Sequence, residues 1–172
     1  MSALARLSLL PAALLLSLSA AGAHVTLENK EAVAGASFKL VLRVPHGCSG
    51  TATTKLRVRI PEALRSAKPQ PKSGWTLDVV AAKGTPGGGD GHDNATAPQE
   101  ISWTGVLEDS SYDEFVLWVS TAKTTPLGLV YVPIVQECGD KVQRWIEIPS
   151  DGNTPASLKA PAPSLRLIGQ PS

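Results

Sequence analysis

The sequence predicts an all-β protein, an antiparallel β-sandwich in a single domain. Three observations carry that expectation. Fifteen Gly and fourteen Pro punctuate a chain of 172 residues rich in Thr and Val and poor in aromatics, the composition of short strands joined by turns. Seven or so stretches with strand patterns recur at intervals of roughly ten residues, each bounded by turn residues. No stretch keeps a convincing helical period, which argues against a bundle.

Taken in order, Met1–Ala23 reads as an address and not as structure. A single Arg6 precedes an apolar run, Leu7–Leu16, and Ala21-Gly22-Ala23 fits the small-residue cleavage site of a secretory signal peptide. The run is short for a membrane span and Pro11 interrupts it. Cleavage, a periplasmic location and no membrane span afterwards are therefore expected. Residues 24–172 then form the domain.

Ser37–Val44 (SFKLVLRV) is a strand stopped by Pro45, and His46-Gly47-Cys48-Ser49-Gly50 is a turn. Thr53–Ile60 alternates cleanly, with Leu56, Val58 and Ile60 on one face and Lys55, Arg57 and Arg59 on the other. Trp75–Val80 follows a Pro-rich stretch. Lys83–Pro98 is polar, Gly-rich and without core residues, and it reads as a mobile hairpin loop. Ile101–Thr104, Tyr112–Ser120, Leu129–Val135 and Gln143–Ile148 supply further strands. A Pro-rich tail carries Leu165–Ile168 as the last. Trp75, Trp103 and Trp118 read as core or sheet-edge aromatics.

Charge excludes some partners. Sixteen Lys and Arg stand against fifteen Asp and Glu, and Arg6 is the only charge before Glu28, so the chain from His24 is balanced. Nothing here attracts nucleic acid or an anionic membrane surface. Cys48 and Cys138 are the only cysteines, 90 residues apart. In an oxidising compartment they are expected to form a disulfide. The competing reading is a thiolate copper site, but the spacing lacks the compactness of a metal knuckle.

Cleavage after Ala23 has a chemical consequence, because it leaves His24 with a free α-amine. An amine with a reference pKa of about 8 surrenders its proton to a metal at neutral pH. With imidazole Nδ1 of the same residue it closes a six-membered chelate ring, and two nitrogen donors of this kind suit Cu(II). Against this, any residue is able to follow a signal site. Catalytic signatures are absent: there is no G-x-S-x-G elbow, H-E-x-x-H pair or Walker loop. A non-enzyme is expected.

The start His24-Val25-Thr26, then RVPHGC (Arg43–Cys48), ATTKLRVRIPE (Ala52–Glu62), PKSGWTLDVV (Pro71–Val80), ISWTG (Ile101–Gly105), YDEFVL (Tyr112–Leu117) and RWIEIP (Arg144–Pro149) occur together in this order. In this the chain resembles the YcnI-like periplasmic copper-binding proteins over His24–Pro149. The resemblance implies an immunoglobulin-like or cupredoxin-like sandwich that binds one Cu(II) through an N-terminal monohistidine brace. His24 matches the chelating His, and Trp145 matches a Trp beside the metal. The family's acidic ligand would fall at His46-Gly47, where His46 is a departure that replaces a carboxylate. Glu147 and Glu28 are the substitutes.

Each of these residues has a plainer reading. A turn histidine such as His46 is usually solvated. If Ile146 and Ile148 face the core, Trp145 and Glu147 face outward together. Indole nitrogen is only a donor, so Trp145 would shield copper and not ligate it. His92, with Asp90 and Asp93, reads as solubilising. Three functions compete. The first is copper trafficking or sequestration, with periplasmic copper chaperones or a membrane copper transporter as partners. The second is a copper-dependent oxidative enzyme resembling the lytic polysaccharide monooxygenases. The third is a metal-free adhesion or assembly module.

Overall fold

A computed structural model of the protein describes residues 24–81, 98–150 and 154–170. The expected signal peptide, the Gly-rich segment short of Pro98, and with it Asp90, His92 and Asp93, lie outside the described residues. Twelve strands are described: β1 (Thr26–Leu27), β2 (Glu31–Val33), β3 (Ser37–Val44), β4 (Thr53–Arg59), β5 (Ser66–Pro69), β6 (Thr76–Val80), β7 (Glu100–Leu107), β8 (Asp113–Ser120), β9 (Gly128–Tyr131), β10 (Ile134–Cys138), β11 (Lys141–Trp145) and β12 (Ser164–Ile168). Among the described residues no helix is long and apolar enough to cross a membrane.

Two antiparallel sheets form the sandwich, one in the order β1-β3-β8-β5 and the other β11-β10-β4-β7-β6. A third, small sheet, β2-β12-β9, holds the C-terminal strand and contains a parallel pair, β2 with β12. The alternation that predicts β3 and β4 also decides which faces meet. Leu40, Leu42 and Val44 of β3, Leu56 and Val58 of β4, and Phe115, Leu117 and Val119 of β8 are buried in one core. Trp103 lies at its centre against Phe115, ring centroids 5.4 Å apart, and Trp75 meets the same ring edge-on at 4.8 Å. Such pairs add about 0.5–1.5 kcal/mol each beyond the area they bury.

Three expectations are corrected, and three short strands were not foreseen. The stretch Leu129–Val135 is two strands, because Pro133 has no N–H for the ladder and the chain leaves β9 to join β10 in the other sheet. The last strand of its sheet ends at Trp145 and not at Ile148, since the Ile146 amide turns back to the Arg144 carbonyl at 3.0 Å. Trp118 is neither core nor edge: it is 53% exposed on the outer face of β8, flanked in register by Lys39 and Lys68. The strands β1, β2 and β5, of two to four residues, carry too little pattern to be read from sequence.

Candidate metal centre

The strands β1 and β11 are edge strands of the two facing sheets, and His24, just before β1, meets Trp145 at the end of β11. Val25 and Leu27 anchor the start of the chain in the core, and β1 pairs with β3 through Thr26–Arg43 and Leu27–Leu42. That anchoring holds His24 against Trp145. Their ring centroids are 4.7 Å apart, with planes inclined at 71°.

Trp145 faces inward, contrary to the outward alternative, and is only 8% exposed, while Ile146 and Ile148 are exposed. Register explains it. Trp145 stands opposite Ile134 across the β10–β11 ladder, and directly opposed residues share a face. Ile134 is wholly buried, so Trp145 turns in with it.

Beneath Trp145 lies a residue that the sequence reading missed. Gln136 is 2% exposed on β10, in phase with Ile134 and Cys138. Trp145 Nε1 donates to Gln136 Oε1 at 3.4 Å. Gln136 Nε2 donates twice, to the His46 carbonyl and to Thr53 Oγ1, both at 2.8 Å. The available signal was a polar residue on the apolar phase of a strand, which must find partners once buried. It went unread because the strand was expected to end at Val135.

His46 sits in the turn that Gln136 grips. Its Nδ1 lies 2.5 Å from the Gly47 carbonyl. A carbonyl only accepts, so this contact is a hydrogen bond only in a form of the ring that carries its proton on Nδ1. Gly47 is required: a Cβ there would stand 2.0 Å from the Thr51 carbonyl oxygen. The turn closes through Cys48 N–H to the Thr51 carbonyl at 2.8 Å, around Ser49 and Gly50 with φ of 50° and 82°. Two successive positive φ values make a tight primed turn, where Gly50 is at home.

Cys48 and Cys138 are joined in a buried disulfide that fastens this turn to β10, with Cα atoms 5.8 Å apart. The expected pairing is present, and the thiolate alternative is removed. Thr53 Oγ1 lies 3.8 Å from Cys138 Sγ, and since a disulfide sulfur has no proton the hydroxyl is the donor in that weak contact.

Neither substitute carboxylate is idle. Glu147 Oε2 accepts the amides of Lys159 and Ala160 at 3.0 and 3.1 Å and so ties down the tail. Glu28 pairs with Arg43 at 3.2 Å. Among the described residues no three His, Cys, Asp or Glu side chains converge as a metal site. The structure thus joins His24 to Trp145, and Trp145 through Gln136 to the backbone of His46. A one-histidine chelate asks for less than such a cluster, since its second donor is the main-chain nitrogen of the same residue. That nitrogen becomes an amine only on cleavage after Ala23.

Residues 24–167 match the family described as a domain of unknown function, DUF1775. Among solved structures, an uncharacterized protein from Nocardia farcinica with an immunoglobulin-like fold is similar to this chain, with a TM-score of 0.62 at 25% identity. That match covers 84% of this chain and 97% of the other. A chain of a type I cohesin–dockerin complex from Clostridium thermocellum matches at a TM-score of 0.44 and 12% identity, over 84% of this chain and 98% of that one. No curated protein matches the sequence.

Proposed function

The chain belongs to the DUF1775 family, the YcnI-like domain, and from that premise we propose that it is an exported Cu(II)-binding protein that carries or sequesters copper in the periplasm. The observation that carries this reading is the His24–Trp145 contact. The residue that signal cleavage would make N-terminal already lies with its ring against a buried aromatic.

Copper is cargo in this reading. The His24 amine and imidazole would hold it as a chelate, and the His46 imidazole would supply a further nitrogen. Nitrogen donors without thiolate suit Cu(II) over softer ions. Trp145, its Nε1–H already committed to Gln136, offers only ring surface and shields the site from water. Glu28 and Glu147 would have to give up Arg43 and the tail amides to serve, which favours His46 over both. A copper chaperone or a membrane copper transporter of the same compartment is the partner class.

The test is a Cu(II) titration, read by Trp fluorescence, of protein beginning at His24 and of protein with one extra residue before it. Binding at a 1:1 ratio is expected for the first. The extension converts the amine to an amide, and affinity should fall by about 100-fold or more, beyond the 10–100-fold that loss of a merely supporting group costs. Equal affinity in both would overturn the brace. Reductant-dependent peroxide production would move the reading to an oxidative enzyme; none is expected.

A further inference from the structure

Gln136 is a buried carboxamide whose hydrogen bonds are all directed at one place. Its oxygen accepts from Trp145, and its nitrogen donates to the His46 carbonyl and to Thr53. The residue is 2% exposed and Thr53 is fully buried, so water does not compete for these groups. We infer that Gln136 is the positioning residue of the centre: one side chain orients the indole under His24 and clamps the turn that carries His46.

The chemistry of the amide supports this assignment. A neutral carboxamide accepts an indole N–H at one end while donating to a carbonyl at the other. A carboxylate of the same shape accepts but does not donate, and a thioether does neither usefully. Asparagine is one methylene shorter and would not span the same partners. Because Gln136 and Trp145 lie diagonally across the β10–β11 ladder, with Gln136 facing Gln143 and Trp145 facing Ile134, the amide meets the indole without a bend in either strand. Outer groups that orient a metal's ligands in this way typically govern affinity 10- to 100-fold. The Thr53 hydroxyl accepts from the same amide nitrogen but makes no hydrogen bond to Trp145 or His46, so its removal tests loss of stability without loss of the Trp145 and His46 bonds.

The function of this clamp rests on the copper reading, whereas the clamping itself is a property of the metal-free protein and is measured separately. NMR of Gln136→Met, with Gln136→Glu as a second variant in case the first does not fold, reads the contact between His24 ring protons and the Trp145 indole, and the Trp145 Nε1–H resonance. In Gln136→Met the His24–Trp145 contact should be lost and the Nε1–H resonance should move, and Cu(II) affinity should fall by about 10–100-fold. Gln136→Glu should keep the indole acceptor and release the His46 carbonyl, giving an intermediate loss. Thr53→Val should keep both the contact and the affinity while lowering the melting temperature. Retention of the His24–Trp145 contact and of full affinity in Gln136→Met, or loss of both in Thr53→Val to the same degree, would overturn the assignment. If the unaltered protein bound no Cu(II) while Gln136→Met still lost the contact, the copper reading would fail and the positioning role would stand.

Discussion

Two of the polar clusters among the described residues are of similar size and are built on opposite terms. At the seam of β1 and β11, Gln136, Thr53, the His46 carbonyl and Trp145 exchange neutral hydrogen bonds beside a disulfide, all but sealed from water. On the outer face of the first sheet, Arg43 joins Glu28 and Glu114, both at 3.2 Å, and Tyr112 donates to Glu114. There the side chains of Glu28, Arg43 and Glu114 are 48%, 44% and 35% exposed. Charges in the second cluster attract each other more strongly in principle, yet water and salt screen them and already satisfy them when the bonds break. The neutral bonds in the first have no such substitute. A buried donor or acceptor left alone costs its full desolvation, so the weaker interactions are the more consequential.

The largest effect expected from this contrast lies at the seam's covalent tie. Replacing both Cys48 and Cys138 by Ala should destabilise the protein by about 2–5 kcal/mol, chiefly by freeing the unfolded chain from a 90-residue loop closure. Denaturant unfolding measures it. A loss under about 1 kcal/mol would mean that the turn is held without the disulfide and that the clamp, not the covalent bond, fixes His46.

Next in size is Thr53→Val. The side chain keeps its shape and loses one acceptor of the Gln136 amide, which retains the His46 carbonyl. A cost of about 1–2 kcal/mol is expected, the value of a buried bond with one partner removed. The same unfolding experiment reads it. If the cost vanished, the seam would tolerate unmet polar groups as well as the outer face does, and the contrast between the two regions would collapse.

The two regions were also unequally legible in the sequence. The sandwich could be read because Leu56, Val58 and Ile60 alternate with cations and because Pro45 and Pro61 mark strand ends, signals local to each strand. The disulfide followed from a count of two. His24 was legible from the leader and from the family motifs. The facing of Trp145 was not, since RWIEIP has two self-consistent phases, and only the ladder partner Ile134, eleven residues away, chooses between them. Gln136 escaped for a related reason. Its partners, at positions 46, 53 and 145, come together only when three strands and a turn are assembled. The outer cluster is likewise a product of register, with Arg43 facing Glu114 across β3 and β8.

The smallest effect should come from that outer cluster, and its sign with pH follows from two opposed shifts. The hydrogen bond donated by Tyr112, against some desolvation and with help from Arg43 and Lys39, holds the Glu114 carboxyl below the usual carboxylate range. The same bond, then desolvation and the charge of Glu114, raises the Tyr112 phenol, with Arg43 opposing. A depressed carboxyl contributes stability that is complete above the ordinary glutamate range and is lost as pH falls through the folded value. A raised phenol contributes below the ordinary tyrosine range, and its share is lost as pH rises through the folded value. The cluster therefore supports the fold on a plateau across neutral pH and fades at both ends. Exposure discounts the amount heavily, so Glu114→Gln should lower the melting temperature at neutral pH by no more than about 1–2 °C. The gap should close in acid, where the native carboxyl is protonated too, and it should shrink in 1 M salt, where screening over roughly 3 Å leaves little for the ion pairs to lose. Melting curves for both proteins across pH, at low and high salt, test this. A shift as large as that of Thr53→Val, or one indifferent to salt, would show that the exposed ions carry weight comparable to the sealed amide.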